Sequence, residues 1–247
     1  MHDQPETPPT DLSFRDFPKL PRFARDCIIT EKIDGTNACI LIAPRAEVDP
    51  EELRKPTVPY LSVSIPSDEF REPEGEFIVI PGSRTRWIHK GDDNKGFARW
   101  VSDNRWDLMK LGPGRHFGEW WGSGIGRGYN LPKGEKRFSL FNVQRWCLST
   151  DEPKLLRSGD PLAPAKYQDR LPACCGLVPV LWEGPFTAAN AMMVTSLEHL
   201  RQEGSQAAPG FMRPEGVVVW HVAGNCGFKR TLEHDDVPKS AAPHLET

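Results

Sequence analysis

At 247 residues the chain is long enough to bury a substantial core, as one large domain or two small ones. Apolar residues make up 38% and charged residues 26%, as in an ordinary globular protein, and the formal net charge of −3 provides no global basic field toward nucleic acid, although a local basic groove can exist on an acidic protein. No apolar run is long enough to span a bilayer, and the Pro- and acid-containing N-terminus lacks the apolar core of a signal peptide, so no membrane association is expected.

Residues 1–12 are polar and Pro-rich and are expected to be disordered. A folded domain is expected over 13–235, with a flexible tail over 236–247 that carries Pro238 and Pro243. Strand signals occur at 27–30 and 38–43, and the charged, Pro-interrupted stretch from Pro44 to Pro59 reads as a surface excursion. Leu61 to Ile65 and Glu76 to Ile80 read as strands on either side of an acidic turn, Asp68 to Gly75. Lys95 to Leu111 reads as a helix with Phe97, Trp100, Val101, Leu108 and Leu111 on one face, stopped by Gly112-Pro113-Gly114. His116 to Trp121 and Phe138 to Val143 read as strands around a Gly-rich loop, and 150–175 as an irregular excursion. Thr187 to Glu203 reads as a second helix, with Thr187 as N-cap and Gly204 at C′. Val217 to Val222 and Gly227 to Leu232 read as the last strands, joined by Ala223-Gly224-Asn225. There is no internal repeat and no β-α-β alternation, which predicts an α+β fold with antiparallel sheets. The cysteines (Cys27, Cys39, Cys147, Cys174, Cys175 and Cys226) include no C-x-x-C pair, so free thiols in a reducing cytoplasm are expected.

The segment richest in chemistry is Glu31-Lys32-Ile33-Asp34-Gly35-Thr36-Asn37, set between the first two strand runs, where Gly35 is expected to turn the backbone tightly. A lysine attacks a phosphate only as the free amine. With a reference pKa of about 10.4 it needs burial or a neighbouring cation, and Lys229, Arg230, Arg84 or a bound metal would serve. Alone, K-x-D-G describes a solvated strand-end lysine equally well. Further segments follow in order: Gly82-Ser83-Arg84-Thr85-Arg86, Phe117-Gly118-Glu119-Trp120, Phe138-Ser139-Leu140-Phe141-Asn142-Val143, Pro214-Glu215-Gly216-Val217-Val218-Val219 and Gly227-Phe228-Lys229-Arg230.

Taken together, these segments resemble the ordered motifs of the covalent nucleotidyltransferases, which include ATP-dependent RNA ligases, DNA ligases and mRNA capping enzymes. The resemblance runs from about residue 28 to 235, and Glu31 with Thr36-Asn37 is most similar to the phage nick-sealing RNA ligases. It implies two antiparallel β-sheets with flanking helices enclosing a nucleotide cleft, a nucleotidyltransferase (ATP-grasp-like) ligase domain. It implies ATP and Mg²⁺ (or Mn²⁺), a lysyl-AMP on Lys32, transfer of AMP to an RNA 5′-phosphate, and joining by a 3′-hydroxyl, in cytoplasmic RNA repair.

The implied roles are these. Phe141 stacks on adenine and Glu119 accepts from the ribose hydroxyls. Arg84, with Arg86 a weaker candidate, binds ribose or phosphate oxygens. Glu215 places the metal or restrains the Lys32 amine, and Lys229 neutralises charge on the α-phosphate. Glu31 reads the adenine amino group, Asn37 contacts the nucleic-acid end, and Asp34 orients. In the block from Trp120 to Tyr129, Arg127 and the aromatics either stack against a nucleic-acid end or form a tight loop with core tryptophans.

Two departures from the family pattern stand out. Arg230 and Thr231 replace the usual second lysine, and side-chain alternation turns Arg230 away from Lys229. Few residues follow Lys229, so a bare adenylyltransferase domain is expected, with a separate partner for the nucleic acid. The alternatives are DNA ligation, adenylyl transfer alone, or a non-catalytic nucleotide- or RNA-binding module.

Overall fold

The computed structural model describes residues 19–65, 75–146, 171–233 and 235. The expected disordered N-terminus and C-terminal tail, and most of the 68–75 turn and the 150–175 excursion, lie outside the described residues.

Two sheets form the frame. The smaller has the order β10-β9-β1-β8 and the larger β3-β4-β2-β5-β6-β7. The strands are β1 (Asp26–Lys32), β2 (Thr36–Pro44), β3 (Leu61–Ile65), β4 (Gly75–Ser83), β5 (Gly114–Gly122), β6 (Lys136–Leu140), β7 (Cys175–Leu177), β8 (Val180–Pro185), β9 (Gly216–His221) and β10 (Cys226–Thr231). The helices are α1 (Pro50–Arg54), α2 (Phe97–Asp103), α3 (Arg105–Leu108), α4 (Val143–Trp146) and α5 (Ala189–Glu203). No helix among the described residues is long and apolar enough to cross a membrane.

Side-chain alternation explains the layering. In β1, Cys27 and Ile29 pack with Val217, Val219, Leu197 and Leu200 of β9 and α5, while Ile28 packs with Trp121, Tyr129 and Phe211 toward the larger sheet. Both faces of β1 are covered, which is why its centre, Cys27 to Ile29, is apolar on consecutive residues. The larger sheet sends Ala38, Ile40, Ile42, Val79, Trp120 and Phe138 to its far face, against Phe97, Val101 and Leu108 of α2 and α3. Each such side chain contributes roughly 1.5–3 kcal/mol when fully buried. Ring pairs add direction there: Phe97 lies 5.1 Å from Phe138 and 5.4 Å from Trp120, centroid to centroid. The result is an α+β fold with layers helix, sheet, sheet, helix.

Four sequence expectations are corrected. The helix expected over Lys95–Leu111 is two short helices and a 3₁₀ turn, because Asn104 leaves the helical conformation (φ −102°, ψ 10°) with its side-chain amide donating to the Trp100 carbonyl, 2.8 Å away. Thr187 lies in a 3₁₀ turn (Phe186–Ala188) and is not the cap of α5, whereas Gly204 does close it at φ 80°. The strand expected over Phe138–Val143 stops at Leu140, since Asn142 Oδ1 accepts from Arg145 N at 3.1 Å and starts α4. The sheets are not wholly antiparallel: β7 runs parallel to β6. Neither β7 nor β8 was expected as a strand.

Candidate active site

The chain leaves the smaller sheet at Lys32, the last residue of β1, and enters the larger one at Thr36, the first of β2. The Ile33–Gly35 loop is therefore the hinge between the sheets. Gly35 is required there by close approach, not by a turn. A Cβ on it would sit 2.5 Å from the Trp120 carbonyl oxygen and 2.9 Å from Glu119 Cγ. The loop is pinned from the other side by Tyr129, whose hydroxyl accepts from Asp34 N at 2.7 Å. Tyr129 itself holds a left-handed backbone at φ 53°, strain that the surrounding packing sustains.

Lys32 pairs with Gly216 across β1 and β9, so Glu215 arrives beside the amine. Lys32 Nζ lies 2.5 Å from Glu215 Oε2, and the lysine stays 22% exposed while Glu215 is nearly buried. Facing them on β5 is Glu119, only 7% exposed. Its Oε1 accepts from Gly35 N at 3.1 Å and its Oε2 from Asn37 Nδ2 at 2.9 Å. Burial pushes the Glu119 carboxyl up to about 7, with the Glu215 charge adding to the rise and Asn37 and Lys32 opposing it. One carboxylate thus holds the glycine of the hinge and orients Asn37, which is exposed at the cleft mouth.

Lys229 pairs with Val218, and Val218 with Thr30. By alternation Lys229 therefore shares the sheet face of Lys32, two residues along and two strands away. Arg230 faces the other way and pairs with Asp235, Nε to Oδ2 3.3 Å. Arg84 is exposed on the turn after β4, adjoining Ala38 through the Ala38–Ser83 pair. Arg86 is tied to Asp92 at 2.5 Å. Phe141 stands 42% exposed, one residue past β6, with its N–H donating to the Phe117 carbonyl at 2.9 Å.

Two expected contacts are not what the geometry offers. Glu31 lies on the α5 face of β1, opposite Lys32, and is 1% exposed. Its carboxylate accepts from Ser205 Oγ at 2.6 Å, Gln206 N at 2.8 Å and Ala207 N at 2.9 Å. Burial still raises its pKa against those bonds. Instead of facing a nucleotide, Glu31 fastens the turn that follows α5. Arg127 is likewise turned inward, for three acceptors compete for its guanidinium. It donates to the Arg213 carbonyl at 3.0 Å and Glu233 Oε2 at 3.1 Å, and lies 3.7 Å from Asp34 Oδ2.

Sequence reasoning missed Tyr129 as the loop's pin and the 205–207 turn. A tyrosine inside a glycine-rich block was a signal for the first, and nothing local signalled the second. A cavity of about 320 Å³ opens on the Glu119 face of the larger sheet beside Trp121, Ser139, Gly176 and Ala207, and none of the expected site residues lines it.

No group of three His, Cys, Asp or Glu side chains among the described residues is placed to hold a metal by itself. Mg²⁺ keeps several waters and binds through one or two carboxylates plus substrate phosphates. Glu215 at the Lys32 amine fits that pattern for an ion carried in on a nucleotide.

No curated protein matches the sequence. Similar solved structures include a Naegleria gruberi RNA ligase glutamate-to-alanine mutant with ATP and Mn, at TM-score 0.47 and 14% identity, covering 85% of this chain and 50% of that one. An archaeal ATP-dependent RNA ligase is similar at TM-score 0.46 and 16% identity, covering 88% and 48%. An apo lysine-to-alanine mutant of a Naegleria gruberi RNA ligase is similar at TM-score 0.43 and 15% identity, covering 84% and 50%. The chain spans about half the length of these ligases. The RNA ligase family model matches residues 25–232, and the chain belongs to the RNA ligase family.

Proposed function

We propose that the chain is an ATP-dependent RNA ligase acting through a lysyl-AMP on Lys32. The observation that carries this reading is the Lys32–Glu215 pair at 2.5 Å, on the sheet face shared with Lys229 and opposite the buried Glu119. The Lys32 ammonium first gives up a proton to water, and Glu215 holds the freed amine in place. The amine lone pair then attacks the ATP α-phosphorus. The bond to the bridging oxygen breaks, pyrophosphate leaves with that electron pair, and a phosphoramidate N–P bond forms. Lys229 supplies fixed positive charge to the α-phosphate oxygens as the transition state develops. Glu119 accepts from the ribose hydroxyls with the lone pairs that Gly35 and Asn37 leave open, and Phe141 offers a ring face to adenine. Arg84 reaches ribose or phosphate oxygens from the rim. A divalent cation held by Glu215, directly or through water, would offset charge on the departing pyrophosphate.

AMP then passes to the 5′-phosphate of an RNA end. A 3′-hydroxyl displaces it, with Asn37 at the mouth contacting that end. Cytoplasmic RNA repair is the setting this reading implies. Incubation with Mg²⁺ and α-labelled ATP is the test. Wild type should gain one AMP, mapped to Lys32 by peptide mass spectrometry, and Lys32→Ala none. Absence of label on a folded wild type, with ATP or GTP, would overturn the reading in favour of a binding module.

A further inference from the structure

Beyond the nucleotide site, the larger sheet carries a second row of groups on the same face. The row that faces Lys32 runs Ser139, Glu119, Asn37 across β6, β5 and β2. Two residues further along the strands, the next row on that face runs Phe141, Phe117, Cys39, Gly82. Strand rise puts the rows about 7 Å apart. Phe117 is 54% exposed although it lies mid-strand with neighbours on both sides. Gly82 leaves room for Trp87, whose ring lies on its backbone; an added Cβ would come within 3.0 Å of two ring carbons. Arg115, one row further out on β5, holds its guanidinium 5.2 Å from the centre of the Trp87 ring. A single exposed aromatic is ordinary. Three aromatics in one transverse row, bounded by a cation and opening onto an adenylylation site, form an ordered surface.

We propose that Phe117 and the Arg115-backed Trp87 form a stacking platform for the last unpaired nucleotides of the RNA strand entering the cleft. This rests on the ligase reading of the cleft. Phe141, at the inner end of the row, serves the adenine, and Phe117 and Trp87 continue outward from it. Every base has a π-face, so such a platform grips an end of any sequence, while the exposed Arg115 and Arg84 attract the backbone phosphates. Cys39 between the rings is small and buried, which keeps the row flat enough for a base to lie across it.

The test pairs two measurements on the same variants. A fluorescent, 5′-phosphorylated single-stranded RNA oligonucleotide is titrated with full-length protein in a Lys32→Ala background, which prevents turnover, and binding is followed by anisotropy. Labelling by α-labelled ATP is measured with Lys32 intact. Phe117→Ala is expected to weaken RNA binding about tenfold while labelling falls less than about threefold. Phe117→Trp, which restores a ring face, should return RNA affinity to within about twofold of the parent. Equal RNA affinity in Phe117→Ala and its parent overturns the platform. So does a loss of labelling that matches the loss of RNA affinity, which would assign Phe117 to the nucleotide pocket. If the wild type binds RNA but takes no label, the ligase reading falls, and the Phe117 titration still decides the platform.

Discussion

Glu31 and Glu119 are both buried carboxylates near Lys32, and they are held in different ways. Glu31 sits on the closed side of β1 with its oxygens engaged by Ser205, Gln206 and Ala207. Glu119 sits on the open side, with donors from Gly35 and Asn37, and burial holds its carboxyl near 7. The first is a rivet, because three convergent donors tie its oxygens to the turn after α5, even though burial still raises its pKa. The second is under tension, because part of its acceptor capacity faces the cleft and the Glu215 charge lies nearby. Partnership rather than depth of burial therefore separates the closed-side acid from the cleft-facing one.

The strongest way to break this contrast is Glu31→Ala. It would take the acceptor away from the buried Ser205 hydroxyl and from two part-buried backbone N–H groups, and a loss of about 2 kcal/mol in urea unfolding is expected. Loss of label on Lys32 should follow only under conditions where the protein unfolds. An effect of similar size and opposite sign is expected for Glu119→Gln. A carboxyl whose folded pKa of about 7 exceeds its usual 4.5 contributes stability below pH 4.5 and loses it as pH rises through 7. Removing that charge should therefore stabilise the apo protein by about 2 kcal/mol at pH 8, with the gain disappearing by pH 4.5 in the same unfolding series. The variant should also bind ATP more weakly than wild type at pH 8. Equal stability of the two proteins at both pH values would remove the tension assigned to Glu119. The smallest effect belongs to Arg127→Ala, which unties Asp34, the Arg213 carbonyl and Glu233. A loss of about 1 kcal/mol is expected, and an RNA-binding titration unchanged within about twofold would confirm its inward role.

Much of this was legible in the chain. Alternation along β10 turned Arg230 away from Lys229, because strand parity is a local property, whereas the shared face of Lys32 and Lys229 depends on the register of β1, β9 and β10. The hinge segment and its flanking strands were legible for the same reason. Other features depended on distant residues. The fate of Glu31 is decided by a turn 174 residues later in the sequence, at Ser205, and no local pattern reports that meeting. β7 and β8 are short and bounded by Pro172, Pro179 and Pro185, so their pairing is supplied by the sheets they join. Gly35 reads as a turn residue, yet its requirement comes from Trp120 on another strand. Asn104 inside an apolar helical pattern was the overlooked local signal.

The place of β1 has a consequence for biosynthesis. Its two ladder partners are β8, at 180–185, and β9, at 216–221. During vectorial translation the segment bearing Lys32 leaves the ribosome long before either partner exists, and Glu215 emerges only after β8, immediately ahead of β9. A nascent or prematurely terminated chain therefore carries the lysine without its acid, its hinge partner or a finished sheet. The Lys32–Glu215 pair therefore forms only when the last strands dock, and an incomplete chain lacks it.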